Sequence, residues 1–199
     1  MNDSTKVALT RPSEIPSALA QTVWMLLFAA GTTLAARLEI PHQPVPYTLQ
    51  TLMVLLSGAF LGGRNGMMSQ IAYIGAGVLG LPVFAGGAFG LAVLLGPSGG
   101  YLIAFPFSAL VVGRMVRRRH TLPWIVLSMG AGLAIVFALG ALQLSVFYTH
   151  SASTALTAGV LIFSWWDLLK LSAASMIYYE MGKRWKSLPS GTGENPEGR

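Results

Sequence analysis

The sequence of 199 residues contains no cysteine, which excludes disulfide bonds and thiolate metal sites. Its three histidines, His42, His120 and His150, are scattered beside predicted loops and do not form a pattern typical of a zinc or haem site. The glycine-lysine-serine/threonine run of a nucleotide-binding P-loop is also missing. We therefore expect no metal and no cofactor, and any use of ATP would require another chain.

Charged residues are scarce. Only 10% of the residues are Asp, Glu, Lys or Arg, and 53% are hydrophobic, whereas about a quarter of the residues in soluble domains are charged. A soluble chain with so little charge could hardly cover its own surface. The composition indicates an all-α protein whose main solvent is lipid.

Long apolar runs predict about six transmembrane helices, since a span needs about 20 mostly apolar residues. The second and third runs are short and are separated by a glycine-rich segment, 62–66, and a longer glycine-rich loop lies between helices 3 and 4. Short, glycine-interrupted spans are typical of transport proteins. The predicted spans are 18–38, 48–61, 67–79, 100–116, 122–147 and 157–181. The predicted domains are an N-terminal tail (1–17), a transmembrane domain (18–182) and a basic, then disordered, C-terminal tail (183–199).

The distribution of basic residues predicts the orientation. The net charge is +6, but the Lys and Arg residues lie at the ends of apolar runs, which does not indicate nucleic-acid binding. If both termini are cytoplasmic, every basic residue except Arg37 and Lys170 lies on the cytoplasmic side. The positive-inside rule therefore predicts a multi-pass protein of the cell membrane with both termini inside.

Two opposite charges interrupt the last apolar run. Asp167 and Lys170 stand three residues apart, on one face of a helix, and each costs about 2.5 to 3.5 kcal/mol near the centre of a membrane helix. One interpretation is that the pair neutralises itself near the membrane interface, with Trp165 and Trp166 in the aromatic belt. The other is that the pair faces a cavity and binds a polar ligand through charge-assisted hydrogen bonds.

Glycines mark a second candidate binding element. Glycine can adopt positive φ and allows the backbone to approach a ligand closely. The amides of Gly86, Gly87, Gly90, Gly99 and Gly100 could therefore reach a ligand beside Tyr101. Their spacing also matches the small-x3-small pattern of helix packing. We favour a binding loop for 86–100, and packing for Gly58.

The first span carries a stripe of small residues. Gly31 and Ala35, and Thr32 and Ala36, are each four residues apart on one face. Such a stripe allows close approach of another helix. It either packs internally or docks a partner protein, and the sequence leaves both open.

A serine motif raises an enzymatic alternative. Residues 96–100 match G-x-S-x-G around Ser98, but the soluble form of this motif requires a strand, a turn and a helix. An intramembrane serine hydrolase would need a histidine base on a neighbouring span, and His120 and His150 fall in predicted loops. We expect that the protein is not an enzyme.

Four ordered motifs together resemble the BioY family, the biotin-specific substrate-binding (S) components of energy-coupling factor (ECF) transporters. The resemblance spans most of the chain, from about residue 18 to residue 181. The motifs are PVPYTLQT at 44–51, GLPVFAGG at 80–87, LGPSGGY at 95–101 and DLLK at 167–170.

The resemblance implies a six-helix membrane protein with a biotin pocket towards the outer face, gated by the loop after helix one. It implies partners, namely a membrane coupling protein and two cytoplasmic ATPases. Asp167 and Lys170 match the family's D-x-x-K motif, and the alternative is an S component for another vitamin. Further implied contacts are the first-loop residues Thr48 and Gln50, the glycine-rich segment from Gly86 to Tyr101, and the aromatic rings of Tyr47, Tyr101 and Trp166. Family members often carry proline-glycine before the aspartate, where this sequence has 164–166 (SWW), so the last helix is expected to begin earlier.

Overall fold

The computed structural model describes residues 17–41, 45–146 and 165–185. The part it describes is mostly helical, with one two-stranded antiparallel hairpin in which Glu39 pairs with Thr48 and Ile40 with Tyr47. The elements are α1 (Ser17–Arg37), β1 (Glu39–Ile40), β2 (Tyr47–Thr48), α2 (Gln50–Leu61), α3 (Gly63–Val78), a 3-10 turn (Ala85–Gly87), α4 (Leu91–Leu95), α5 (Gly99–Val116), α6 (Leu122–Leu144) and α7 (Trp165–Trp185). Most of both predicted tails, His42, His150 and the predicted start of the sixth span lie outside the described residues.

Helix α5 lies at the centre of the bundle and packs against α2, α3 and α6. Its small residues allow this crowding, because Ala104, Ser108 and Ala109 are fully buried. A Cβ atom on Gly113 would meet the backbone of Gly58 and of the α2–α3 junction. Close approach of small residues is a usual basis of helix association in membranes.

The junction between α2 and α3 differs from the prediction. Only Gly62, with φ of 81°, is non-helical, and α3 begins at Gly63. The prediction that 62–66 separates the two helices is therefore wrong for 63–66. Gly63 and Gly66 are buried inside α3, where Gly63 faces Leu110 of α5 and Gly66 faces Gly58 of α2, so these glycines serve packing.

Three described helices are long and apolar enough to cross a membrane: Ala18–Arg37, Gly99–Val116 and Leu122–Leu144. Helix α2 is apolar but shorter. The outer face of α1 exposes large apolar side chains, which suits contact with lipid. They include Leu19, Val23, Leu26, Leu27 and Leu34.

The stripe of small residues on α1 packs internally. Thr32 and Ala36 are fully buried and Ala35 nearly so, and a Cβ atom on Gly31 would meet the methyl group of Met53 at 2.5 Å. Of the two interpretations of this stripe, internal packing describes the structure. Three of the four residues are covered by the chain's own helices and Gly31 is half-buried, whereas docking of a partner on this stripe stays a prediction.

Helix α7 continues to Trp185, beyond the predicted end of the span at 181 and three residues into the predicted tail. Its last turn is fixed to the bundle, because the indole N–H of Trp185 donates to the carbonyl of Phe60 at 3.0 Å. The Trp185 ring also lies 4.6 Å from that of Trp24 on α1. These contacts join α1, α2 and α7 at one end of the bundle, which the predicted topology places on the cytoplasmic side.

Candidate binding site

A cavity of about 240 Å³ lies at the end of the bundle where α1 and α3 end and where α2, α5 and α7 begin. Side chains from α2, α5, α6 and α7 form its walls. The β1–β2 hairpin and the glycine-rich segment 80–98 contribute the rest of the lining. A partly enclosed, mostly apolar chamber with a few polar groups is typical of a small-molecule site.

The opposite charges of α7 face this cavity. The Nζ atom of Lys170 lies 2.6 Å from Oδ1 of Asp167 and donates a hydrogen bond to the main-chain carbonyl of Thr48 at 3.1 Å. The two side chains are 5% and 2% exposed, and both line the cavity. The neighbouring Trp165 is 88% exposed, so the helix turns its charged face inward and a tryptophan outward.

A hydrogen-bonded network of Thr48, Gln50 and Tyr73 lies beside the ion pair. The hydroxyl of Thr48 donates to Oε1 of Gln50 at 2.8 Å, and the Nε2 group of Gln50 donates to the hydroxyl of Tyr73. That hydroxyl in turn donates to the carbonyl of Val83 at 3.3 Å. Thr48 and Gln50 line the cavity, whereas Tyr73 lies behind them.

The other walls are apolar and aromatic. Phe84, Phe105 and Phe137 line the cavity together with the predicted residues Tyr47 and Tyr101. The hydroxyl of Tyr101 is buried and has no hydrogen-bond partner among the described residues. Thr51 also lines the cavity, and its hydroxyl is likewise buried without a hydrogen-bond partner among the described residues.

Two of the glycines predicted to contact a ligand, Gly99 and Gly100, lie where helices pack closely. A Cβ atom on Gly100 would come within 2.5 Å of the carbonyl of Leu139, and one on Gly99 within 2.6 Å of the amide of Gln143. Gln143 of α6 also donates to the carbonyls of Leu94 and Gly96 at 3.0 and 2.8 Å. These contacts join the turn before α5 to α6, and neither Gly99 nor Gly100 lines the cavity.

The other predicted glycines lie in the segment that covers the cavity. Gly86, Gly87 and Gly90 have positive φ values of 64°, 77° and 89°, but none of them lines the cavity. Gly87 packs against the guanidinium of Arg37, which donates to the carbonyl of Pro82. Backbone contact between these glycines and a ligand stays a prediction.

Trp166 is half-buried and does not line the cavity. Its indole nitrogen has no hydrogen-bond partner among the described residues. Ser98 does line the cavity, but no histidine is among the described residues of its wall. The described histidine, His120, packs instead against Tyr178 and Tyr179, near the other end of α7.

Several wall residues were not predicted from the sequence. Phe84, Phe105, Val136 and Phe137 resemble ordinary core positions of apolar segments. Tyr73, which lies behind the wall, offered a weak signal, because it is a tyrosine in the middle of an apolar run and its hydroxyl would need a partner. The sequence did not indicate which partner.

Comparisons with known proteins agree with the motif resemblance. The model of the BioY family matches residues 5–187. The chain is 40% identical over 157 residues to the Biotin transporter BioY of Thermotoga maritima, covering 79% of this chain and 92% of the relative. It is 37% identical over 151 residues to the Probable biotin transporter BioY of Pyrococcus horikoshii, covering 76% and 89%.

A solved structure shares the fold. The crystal structure of the S-component for biotin from an ECF-type ABC transporter superposes with a TM-score of 0.79 at 26% identity, covering 86% of this chain and 95% of the other. The fold and the family predicted from the motifs are thereby confirmed: the chain is a membrane protein that belongs to the BioY family.

Proposed function

We propose that this protein is the substrate-binding component of a biotin uptake system, which captures biotin within the membrane and delivers it to the cytoplasm. The observation that carries the proposal is the Asp167–Lys170 pair, buried and facing a chamber of about 240 Å³ in a chain of the BioY family. Two charges in an apolar helix are costly and need a compensating interaction, which a polar ligand provides.

The chemistry of biotin matches the wall. Its ureido ring has two N–H donors and a carbonyl, its thiophane ring and chain are apolar, and its valerate is an anion. The carboxylate of Asp167 accepts N–H donors and the ammonium of Lys170 pairs with an anion or a carbonyl. The hydroxyls of Thr51 and Tyr101, which have no hydrogen-bond partner among the described residues, add two donors, and the phenylalanine rings cover apolar surface.

Delivery requires other chains. The sequence contains no nucleotide-binding P-loop, so ATP hydrolysis belongs to separate ATPase subunits, which an ECF membrane coupling protein links to this chain. Six crossings of the cell membrane with cytoplasmic termini follow from the spacing of apolar runs and from the positive-inside rule. This orientation opens the cavity end of the bundle to the outer face, from which biotin enters. An S component for another vitamin, or a hydrolase acting through Ser98, gains no support from the relatives.

Titration of the detergent-solubilised protein with labelled biotin tests the proposal. We expect saturable binding to the wild type and strongly weakened binding to Asp167→Asn and Lys170→Met. Removing a buried charge that pairs with a group of the bound partner costs about 2 to 5 kcal/mol of binding free energy, which is roughly 30-fold to several thousand-fold in affinity.

A double variant separates binding from folding. Each single substitution leaves a buried group without its partner, whereas Asp167→Asn with Lys170→Met removes both charges. We expect the double variant to have a higher unfolding temperature than Lys170→Met alone, yet to remain unable to bind biotin. Glu180→Gln, which changes an exposed acid on the same helix, is the control and should bind like the wild type. Unchanged affinity in both single variants, or equal competition by unrelated vitamins, would contradict the proposal.

A further inference from the structure

Tyr73 lies directly behind the wall of the cavity. The side chain belongs to α3 and is 1% exposed, and it is not a lining residue. Its ring meets that of Phe84 edge-on, with centroids 5.6 Å apart, and lies over that of Phe105 at 6.4 Å. Both phenylalanines face the cavity, so Tyr73 forms the layer immediately behind them.

The hydrogen bonds of Tyr73 have a fixed direction. A main-chain carbonyl can only accept, so the contact with Val83 uses the single hydroxyl proton of Tyr73. The hydroxyl oxygen is then left as an acceptor, and the group that faces it has to be a donor. That group is the Nε2 amide of Gln50.

The orientation of the Gln50 amide follows from this. With Nε2 directed at Tyr73, the Oε1 atom is directed at Thr48 and accepts its hydroxyl proton at 2.8 Å. The main-chain N–H of Gln50 donates to the same Thr48 hydroxyl at 3.3 Å. If the amide were reversed, the Tyr73 proton would be drawn from Val83 to Gln50, and both this carbonyl and the Thr48 proton would lose their partners.

The network continues to the charges. Thr48, held by Gln50, presents its own carbonyl to Nζ of Lys170 at 3.1 Å, and Lys170 pairs with Asp167. One continuous run of polar contacts therefore joins the glycine-rich segment, α3, α2, the hairpin and α7. Its buried end is Tyr73 with the Val83 carbonyl, and its other members face the ligand chamber.

We infer that Tyr73 is a positioning residue for substrate binding: it fixes the Gln50 amide, and through Thr48 it sets the carbonyl that holds the Lys170 ammonium. The inference rests on the proposed function. Tyr73 does not touch the substrate. It acts by keeping the donors and acceptors of the wall in the arrangement that biotin meets, which reduces the ordering cost of binding.

Tyr73→Phe tests this role, because it removes the hydroxyl and keeps the ring between Phe84 and Phe105. We expect biotin affinity to fall about tenfold. Tyr178→Phe makes the same chemical change at another buried tyrosine, which packs against Phe60 remote from the cavity, and should leave the affinity unchanged. In a Gln50→Leu background, Tyr73→Phe should cause no further loss, because its effect passes through Gln50.

The contact between Gln50 and Tyr73 can also be followed spectroscopically, in the absence of ligand. The chain has five glutamines, Gln21, Gln43, Gln50, Gln70 and Gln143, so ¹⁵N-glutamine labelling gives few side-chain amide signals, and the Gln50 signal is the one absent from Gln50→Leu. We expect Tyr73→Phe to move this signal and to leave the other four in place. Gln50→Glu tests the same contact from its other side, since it replaces the donor towards Tyr73 by an acceptor, and should also lose about tenfold in affinity.

Three outcomes would overturn the inference while leaving the proposed function intact. They are wild-type affinity in Tyr73→Phe or in Gln50→Glu, an equal loss from Tyr73→Phe with and without Gln50, and an unmoved Gln50 amide signal. If the wild-type protein does not bind biotin at all, both the proposed function and the role of Tyr73 are refuted.

Discussion

At the scale of single residues, two hydroxyl groups of the cavity wall have no hydrogen-bond partner among the described residues, those of Thr51 and Tyr101. A buried polar group without a partner costs about 1 to 3 kcal/mol of folding free energy. Within the part of the chain that the structure describes, these two hydroxyls are therefore available to a ligand. A ligand that supplies hydrogen-bond acceptors at these positions would pair both hydroxyls, and each new hydrogen bond would add to affinity.

This gives the Tyr101 hydroxyl opposite effects on stability and on binding. In Tyr101→Phe the ring keeps its edge-on contact with Phe137, whose centroid is 6.3 Å away. We expect an unfolding temperature equal to or above that of the wild type without ligand, and a loss of about five- to tenfold in biotin affinity, the value of one hydrogen bond of about 1 to 1.4 kcal/mol.

Calorimetric unfolding and biotin titration of the same preparations measure both quantities. Thr51→Val, which removes the other of these two hydroxyls and keeps a similar shape, is the parallel variant. A marked loss of stability in Tyr101→Phe would show that its hydroxyl has a structural partner, and unchanged affinity would remove it from the binding wall.

The charged and the aromatic residues of the wall differ in how far they could be predicted. Asp167 and Lys170 were identifiable because a charge in an apolar run is costly and needs an explanation. Phe84 and Phe105 were not, because a phenylalanine in a membrane helix or an adjoining loop gives the same sequence pattern whether it faces lipid, core or ligand. Only the packing of the folded chain separates these environments.

At the scale of elements, glycine has two distinct uses in this protein. Gly62 and Gly86 adopt positive φ where the chain turns, whereas Gly100 and Gly113 lie in α5 and allow other backbones to approach. A sequence motif such as GPSGGY does not distinguish these uses. For this reason the sequence identified the glycine-rich region but did not identify Gly99 and Gly100 as packing residues, or Gly63 and Gly66 as helical.

Two glycine-to-alanine variants should change stability in opposite directions. In Gly100→Ala the added carbon would lie 2.5 Å from the carbonyl of Leu139 and 2.7 Å from Cβ of Gln143, and such overpacking costs about 1 to 3 kcal/mol. In Gly130→Ala, within α6, the added carbon would meet no atom within 4 Å. Alanine is favoured over glycine in a helix interior by up to about 1 kcal/mol.

Thermal unfolding in detergent compares the two variants with the wild type. We expect a lower transition temperature for Gly100→Ala and an equal or higher one for Gly130→Ala. Tolerance of alanine at 100 would mean that α5 and α6 are less closely packed at this point than the structure indicates.

At the scale of the whole molecule, the absence of cysteine allows a direct test of orientation. Single cysteines can be introduced without removing native ones. Leu38→Cys, at an exposed position after α1, should react with a membrane-impermeant maleimide added to intact cells. Arg118→Cys, at an exposed position after α5, should react only after the membrane is permeabilised. The reverse pattern would place the cavity end of the bundle in the cytoplasm.

The overall architecture was the most predictable property. Scarce charge and repeated apolar runs are consequences of lipid as solvent, and they predicted an all-α bundle whose family is confirmed by the match over residues 5–187. The number of crossings stays a prediction. The helices α2 and α3 have only 12 and 16 residues, and the start of the last predicted span lies outside the described residues.

The joining of Asp167 to Lys170 within one helix turn also has an electrical consequence. Moving one elementary charge across a transmembrane voltage of 100 mV changes its energy by about 2.3 kcal/mol. The energy of a compact pair of opposite charges hardly changes in the same movement. Any displacement of α7 along the membrane normal therefore carries this pair through the field without electrical work. The pair that faces the cavity therefore adds almost no voltage dependence of its own to the proposed delivery.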